Sequence, residues 1–303
     1  MIRVWAHVFR SLSLAIFLLL SFNVLFAQTR LNQFALYLPN ENPAASAQYE
    51  SFNFGASGTL QWVGLDGAPR NYAFCFNNSV KENSYLGLRL NQFNVGLSGQ
   101  TQLEVPFSQK FKLSEKLNLS LGLSPGFYFA GSRLSEAELV DQGDVEFSAN
   151  QPLFAMPVAR FGGLLFTEQF FLGFTIPNLI YNKVFFDETF SKASLIQADQ
   201  WRYNFVVGRD FIINKNFSFQ LANQTLLSTN ANWVTNGSLA LKFVDKITIG
   251  ATYSNQADFS GFLQAVTGPN LIFGYAYQTN VGNVLFNLPT HEVMLVFKGR
   301  NIF

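Results

Sequence analysis

Catalysis needs particular side chains within reach of one another, and this chain has few to offer. It carries two histidines, His7 and His291, and a single cysteine, Cys75. An acyl-transfer site requires a nucleophile, a base in hydrogen-bond reach and a third group to orient that base. His291 stands beside Glu292 at the head of the run "HEVMLVF" without a Ser–His–Asn or similar cluster, and it reads as a rim histidine. Cys75, between Phe74 and Phe76, is a lone thiol with no basic neighbour in sequence, the setting of an inert cysteine. One cysteine also excludes an internal disulfide and a C-x-x-C pair. Glu136, Glu138, Asp141, Asp144 and Glu146 crowd residues 132–151, but their irregular spacing matches neither a calcium loop nor a glycosidase pair. A solvated loop face is the reading preferred over a weak calcium site. Neither G-x-x-x-x-G-K nor G-x-S-x-G occurs. The expectation is a protein that is not an enzyme, with no cofactor, no catalytic residue and no metal site.

Binding chemistry has a better candidate in "QWVGLDGAPR", residues 61–70, between the alternating runs "SFNFGASGTL" and "NYAFCFNNSV". Two residues suffice to turn a hairpin. Here ten are used. Gly64 and Gly67 allow left-handed backbone, Asp66 can cap its own turn and Pro69 stiffens the exit, so these residues shape the loop. Trp62 and Arg70 belong to types enriched at binding hot spots, and with Asp66 they form the expected partner-binding set. The competing reading is a loop that folds inward as a brace. Which holds depends on the elements that flank it.

Those elements begin with an export leader. Arg3, His7 and Arg10 precede the apolar Leu12–Leu20, and Leu25-Phe26-Ala27 leads into Gln28, the layout of a signal peptide cleaved near Ala27; an uncleaved anchor is the alternative. No cysteine lies near the cleavage site, so a lipoprotein is not expected. Removing residues 1–27 takes two Arg from the 20 basic residues and none from the 19 acidic ones, leaving a balance of −1. With no long basic run, nucleic acid is not an expected partner. The whole chain carries 35 Phe, yet only 13% of it is charged, a composition that resists solution. No second apolar run is long enough for a membrane helix. An exported, Phe-rich chain without such helices points to a closed β-barrel in the outer membrane.

Alternation carries the fold. Successive strand side chains point to opposite faces. Leu119, Leu121, Leu123, Phe127 and Phe129 share one face, with Asn118, Ser120, Gly122, Ser124 and Gly126 on the other. The same pattern recurs through Trp201–Gly208, Ile247–Ser254, Leu271–Tyr277 and Val293–Phe297. Counting such runs predicts about 14 strands, antiparallel, in an all-β transmembrane barrel over 51–303, with 28–50 as a periplasmic or lumenal N-terminal segment. A soluble sandwich or propeller is the alternative. Arg89, Glu104, Lys110, Lys112, Arg160, Arg202, Asp210 and Lys242 fall on the face opposite the Phe residues, as a polar lumen requires. Short turns follow even strands, and the long loops 61–70, 132–151, 181–200 and 280–288 follow odd ones. Outer-membrane barrels keep short turns in the periplasm, so both termini are expected there and loop 61–70 outside. The chain closes on "HEVMLVFKGRNIF", an alternating last strand followed by a terminal Phe303.

The loop also carries a resemblance. "QWVGLDGAPR" closely resembles the Q-W-V-G-φ-D-G-A-P signature of the PorP/SprF family of type IX secretion system membrane proteins, φ being aromatic or aliphatic. "YLPNENPAAS" is similar to that family's "Y…N-P-A…" leading segment, with Ser46 where Gly is usual. "LGLRLNQFNVG", "KLSEKLNLSLGLSPGFYFAGS", "ARFGGLLFTEQFFLGFTIPNLI" and "HEVMLVF" resemble its hairpins and closing strand, with Thr175 in place of a usual Ser. The resemblance covers nearly all of residues 31–298. It implies an outer-membrane barrel that supports secretion and surface attachment of a secreted protein, such as a gliding adhesin, through the cargo's C-terminal domain. The other implied partners are further type IX secretion components and outer-membrane lipid. The rival functions are a passive transporter for hydrophobic small molecules, which an apolar N-terminal hatch such as "LNQFALYLP" would favour, and a lipid-modifying barrel enzyme, which lacks its cluster.

Overall fold

The computed structural model describes residues 31–49, 51–136, 151–186, 190–228, 233–282 and 288–299. The leader, Gln28, the acids Glu138, Asp141, Asp144 and Glu146, and Phe303 therefore lie outside the described residues. The strands are β1 Asn53–Leu60, β2 Arg70–Lys81, β3 Ser84–Val95, β4 Ser98–Glu104, β5 Phe107–Lys112, β6 Asn118–Ser132, β7 Gln151–Phe166, β8 Phe170–Ile176, β9 Tyr181–Phe186, β10 Phe190–Leu195, β11 Arg202–Asn214, β12 Phe217–Ser228, β13 Val234–Phe243, β14 Ile247–Ser254, β15 Asp258–Val266, β16 Leu271–Asn280 and β17 Thr290–Lys298. All pairings are antiparallel between neighbours, and β1 pairs with β17 from Asn53↔Lys298 to Leu60↔His291, which closes the sheet on itself. β4 and β5 together make one crossing between β3 and β6, and β9–β10 form a separate hairpin, so the closed wall has the 14 strands expected.

Two departures from the expected strands have chemical causes. The fourth crossing breaks at Val105-Pro106, opposite Pro125 of β6. Proline has no N–H for the ladder, so the strand bulges there, and the Val105 and Gly87 amides donate to the Pro125 and Pro106 carbonyls instead. The connection 181–200 is more than a loop, for it contains the β9–β10 hairpin and a 3₁₀ turn at Ala198–Gln200. Pro177 follows directly on β8, where the chain leaves the wall.

The wall is apolar outside. Leu121 and Leu123 on β6, Phe205 and Val207 on β11, Ile247 and Ile249 on β14, and Phe273, Tyr275 and Tyr277 on β16 face outward, while Ser120, Ser124, Asn204, Val206, Thr252 and Ala276 are buried within. Long connections gather at one end, after β1, β6, β8 and β16, and short turns close the other.

The lumen is filled by the chain's own residues 31–49. Three 3₁₀ turns, Phe34–Leu36, Leu38–Asn40 and Pro43–Gln48, sit among the inward side chains, with Leu31, Phe34, Leu38, Ala44, Ala45 and Ala47 in one buried cluster. Short 3₁₀ turns satisfy their own backbone within a few residues.

Candidate functional site

Two places hold the unusual residues, the lumen and the rim at the long-loop end. In the lumen, Asn42 caps the third turn, its Oδ1 accepting from the Ala44 amide at 2.9 Å, and Pro43 follows at the first helical position, where no N–H is needed. The Asn42 amide also donates to the Gly163 and Phe174 carbonyls of β7 and β8. The wall yields to this turn at its glycines. A Cβ on Gly162 would lie 2.0 Å from Asn42 Oδ1, and one on Gly122 would lie 2.5 Å from the Ala44 amide nitrogen. On the opposite side a Cβ on Gly55 would strike the Tyr37 ring. Tyr37 hydrogen-bonds with Asn53 and Asn77, and Ser46, the residue that departs from the resembled pattern, donates to Asn77 Oδ1 at 2.7 Å. Burial pushes the Tyr37 and Tyr49 phenols well above the ordinary range, so both stay neutral.

Charges finish the anchoring. Glu104, fully buried beside the bulge, accepts from Arg89 Nη1 at 2.7 Å and from Arg160 Nε at 3.2 Å. Each arginine then donates to the plug, Arg89 Nε to the Asn40 carbonyl and Arg160 Nη1 to the Glu41 carbonyl. Glu292 accepts from the backbone amides of Asn32 and Gln33 at 2.7 and 3.1 Å. Sequence reading placed Arg89, Glu104 and Arg160 on the lumen face and noted Glu292 beside His291, but it did not expect these four to hold the N-terminal segment. Their only signal was a charged residue on an otherwise small and polar strand face. At the short-turn end a cavity of about 310 Å³ remains between plug and wall, bordered by Tyr49, Asp210, Gln220, Lys242 and Lys298.

Cys75 is buried against the plug, its thiol donating to the Pro39 carbonyl. Arg89 stands opposite it in the ladder, but that guanidinium is turned to Glu104 and Asn40. His291 faces outward on β17, its Nδ1 2.7 Å from the Tyr275 hydroxyl and its ring edge-on to Tyr277. That is a place in the aromatic girdle. Among the described residues no group of three His, Cys, Asp or Glu side chains could hold a metal ion. Of the acids in 132–151, Glu136 is described, paired with Arg133.

The 61–70 loop is pinned on both sides. The Val63 amide donates to the Pro289 carbonyl, and the Gly96 amide of the β3–β4 turn donates to the Gly67 carbonyl. Backbone bonds Leu65→Trp62 and Ala68→Leu65 close its turns; no hydrogen bond of the Asp66 carboxylate is found among the described residues, so capping by Asp66 is not what shapes it. Gly64 and Gly67 have φ of 104° and 72°, as the turn needs, and Trp62 itself adopts φ 48°. Pro69 is buried, while Trp62, Val63, Leu65 and Asp66 are exposed. Arg70 is not with them. It opens β2 on the outward face that continues through Tyr72 and Phe74. The loop thus braces the rim and presents an apolar tip at once, and Val63 and Leu65 join Trp62 there.

Comparison with known proteins accords with this architecture. A family profile described as type IX secretion system membrane protein PorP/SprF matches residues 27–297. No curated protein sequence matches. Among solved structures, the CymD monoaromatic hydrocarbon channel is similar over 90% of this chain and 93% of its own, at 14% identity and a TM-score of 0.50. The toluene transporter TodX of Pseudomonas putida (10% identity, TM-score 0.46, 89% and 93% covered) and the outer membrane protein Omp33 of Acinetobacter baumannii (8%, 0.45, 83% and 99%) are also similar. At such identities the likeness concerns the fold alone.

Proposed function

Because the chain belongs to the PorP/SprF family of type IX secretion system membrane proteins, we propose that this outer-membrane barrel holds an exported protein at the cell surface by binding the cargo's C-terminal targeting domain, without catalysis. The observation that carries the reading is the 61–70 loop, held rigid at two neighbouring connections while Trp62, Val63 and Leu65 stay exposed. A preformed apolar tip loses little conformational entropy on binding. The filled lumen agrees with a role played at the rim and not through a pore. In this reading the long-loop end faces outward and the termini lie in the periplasm.

The test compares cell-bound and released cargo at equal barrel abundance. Truncating a hot-spot side chain costs roughly 2 kcal/mol or more, about a thirty-fold loss of affinity, so Trp62→Ala with Arg70→Ala releases a surface adhesin into the medium. Deleting the gene with every surface protein still attached and secreted would sink the proposal. Orientation is read separately, in a Cys75→Ser background. A cysteine at Ala193 reacts with an impermeant maleimide on whole cells, and one at Lys215 only after the cells are opened; the reverse pattern inverts the topology.

A second reading, passive transport of a hydrophobic small molecule, is favoured by one observation. The N-terminal segment does fill the lumen as a hatch, with Leu31, Phe34 and Leu38 in its apolar part. Its ties to the wall are largely polar and charged, which favours a fixed plug. A loss of hydrophobic nutrient uptake in the deletion strain, with surface proteins unaffected, would promote this reading.

A further inference from the structure

The cavity of about 310 Å³ at the short-turn end has a charged mouth and an apolar interior. Lys242 and Gln264 face the lumen near the last residues of β13 and β15; two residues further in on the same faces stand the buried Ala240 and Phe262. Leu36 and Leu38 of the plug border the same space. At the mouth the charges do not balance. Asp210, the acid that the lumen face of the wall supplies there, is already engaged: it pairs with Lys242 and accepts from the Gln220 amide at 3.2 and 3.3 Å. Glu168, Asp245 and Lys246 also border the cavity, but from exposed turns open to water. Lys298, on the lumen face of β17, is left over. Its ammonium sits 5.8 Å from the centroid of the Tyr49 ring of the plug, and the described residues give it neither a carboxylate partner nor a hydrogen bond through its side chain.

A half-buried ammonium is costly until a counter-charge meets it, and a ring face offsets only part of that cost. We infer that this cavity binds a small amphiphilic anion, a carboxylate or phosphate head on a short apolar chain. The head meets Lys298 at the mouth, and the chain lies against Leu36, Leu38 and Phe262. Charge and lining together select this class. A bare inorganic anion leaves the apolar interior unfilled. A neutral hydrocarbon leaves Lys298 unmatched, and a cation meets Lys298 and finds Asp210 taken. The volume falls at the lower end of the roughly 300–1,000 Å³ common among small-molecule sites. The inference is independent of cargo retention, since the 61–70 loop lies at the opposite end of the barrel.

The test photolyses octanoate bearing a diazirine on its chain with the full-length protein in its native outer membrane. The expected result is adducts on the peptides that hold Leu36, Leu38 and Phe262. Excess octanoate removes them, whereas acetate and octanol do not. Octyl phosphate separates the two sources of the head: loss of the adducts admits phosphates beside carboxylates, and their persistence assigns the site to carboxylates alone. Lys298→Met lowers the adducts at least tenfold and Lys298→Arg keeps them, both at equal barrel abundance. Adducts confined to outward residues such as Leu263, or undiminished in Lys298→Met, would overturn the inference. So would competition by octanol equal to that by octanoate, a comparison made in the unaltered protein that decides the matter even if Lys298→Met fails to insert.

Discussion

Residues 31–49 and residues 61–70 are both compact turn-rich segments, yet they meet opposite surroundings. The first is enclosed, and its ties to the wall run to buried groups such as the Gly163 carbonyl, Arg89 and Glu292. The second is held through its own backbone groups, bonded to Pro289, Thr290 and Gly96, and leaves its apolar side chains in the open. The contrast separates two uses of rigidity. In the lumen it is made by side chains and is expensive to disturb. At the rim it is made by backbone geometry, so the side chains are free to serve a partner.

Breaking the enclosed segment should produce the largest effects. Glu104→Ala leaves Arg89 and Arg160 buried without their carboxylate, an expected loss of about 3–5 kcal/mol in urea unfolding from lipid vesicles. Replacing the whole cluster, as Arg89→Met, Glu104→Leu and Arg160→Met together, should cost far less; equal losses would mean that the charges do not act as a unit. Next comes Gly122→Val, whose side chain must displace the Pro43-Ala44 backbone. Overpacking of this kind costs about 1–3 kcal/mol, and displacement of the plug should appear as ion conductance in planar bilayers that the unaltered barrel lacks.

Effects on the exposed segment should be smaller in stability and larger in function. Gly67→Ala puts a Cβ into left-handed backbone at φ 72° and 3.1 Å from Gly96 Cα, an expected cost of about 1–2 kcal/mol read by unfolding, with partial release of cargo as the tip loosens. Asp66→Ala should be the mildest. Its carboxylate carries no bond to the loop, so stability should shift by less than about 0.5 kcal/mol, and any release of cargo beyond that would mark Asp66 as a direct contact.

Much of this was legible in the chain because alternation is local. Whether Leu121 faces lipid and Ser120 the lumen is decided by adjacent residues and a period of two, and the same rule sets the strand count and the asymmetry of the connections. The signature of the 61–70 loop was equally readable, since Gly64 and Gly67 declare their backbone. Tertiary structure alone decided what the lumen holds. Asn42 meets the Gly163 carbonyl 121 residues along the chain, and Asn32 meets Glu292 at a separation of 260. Arg89 and Glu104 face each other across the β3–β4 hairpin, a pairing its short turn sets, and Arg160 reaches them from β7 past the small residues Ser124 and Gly126 of β6. What no local periodicity could carry is the contact of these arginines with the Asn40 and Glu41 carbonyls, which exists only because the closed barrel encloses the plug.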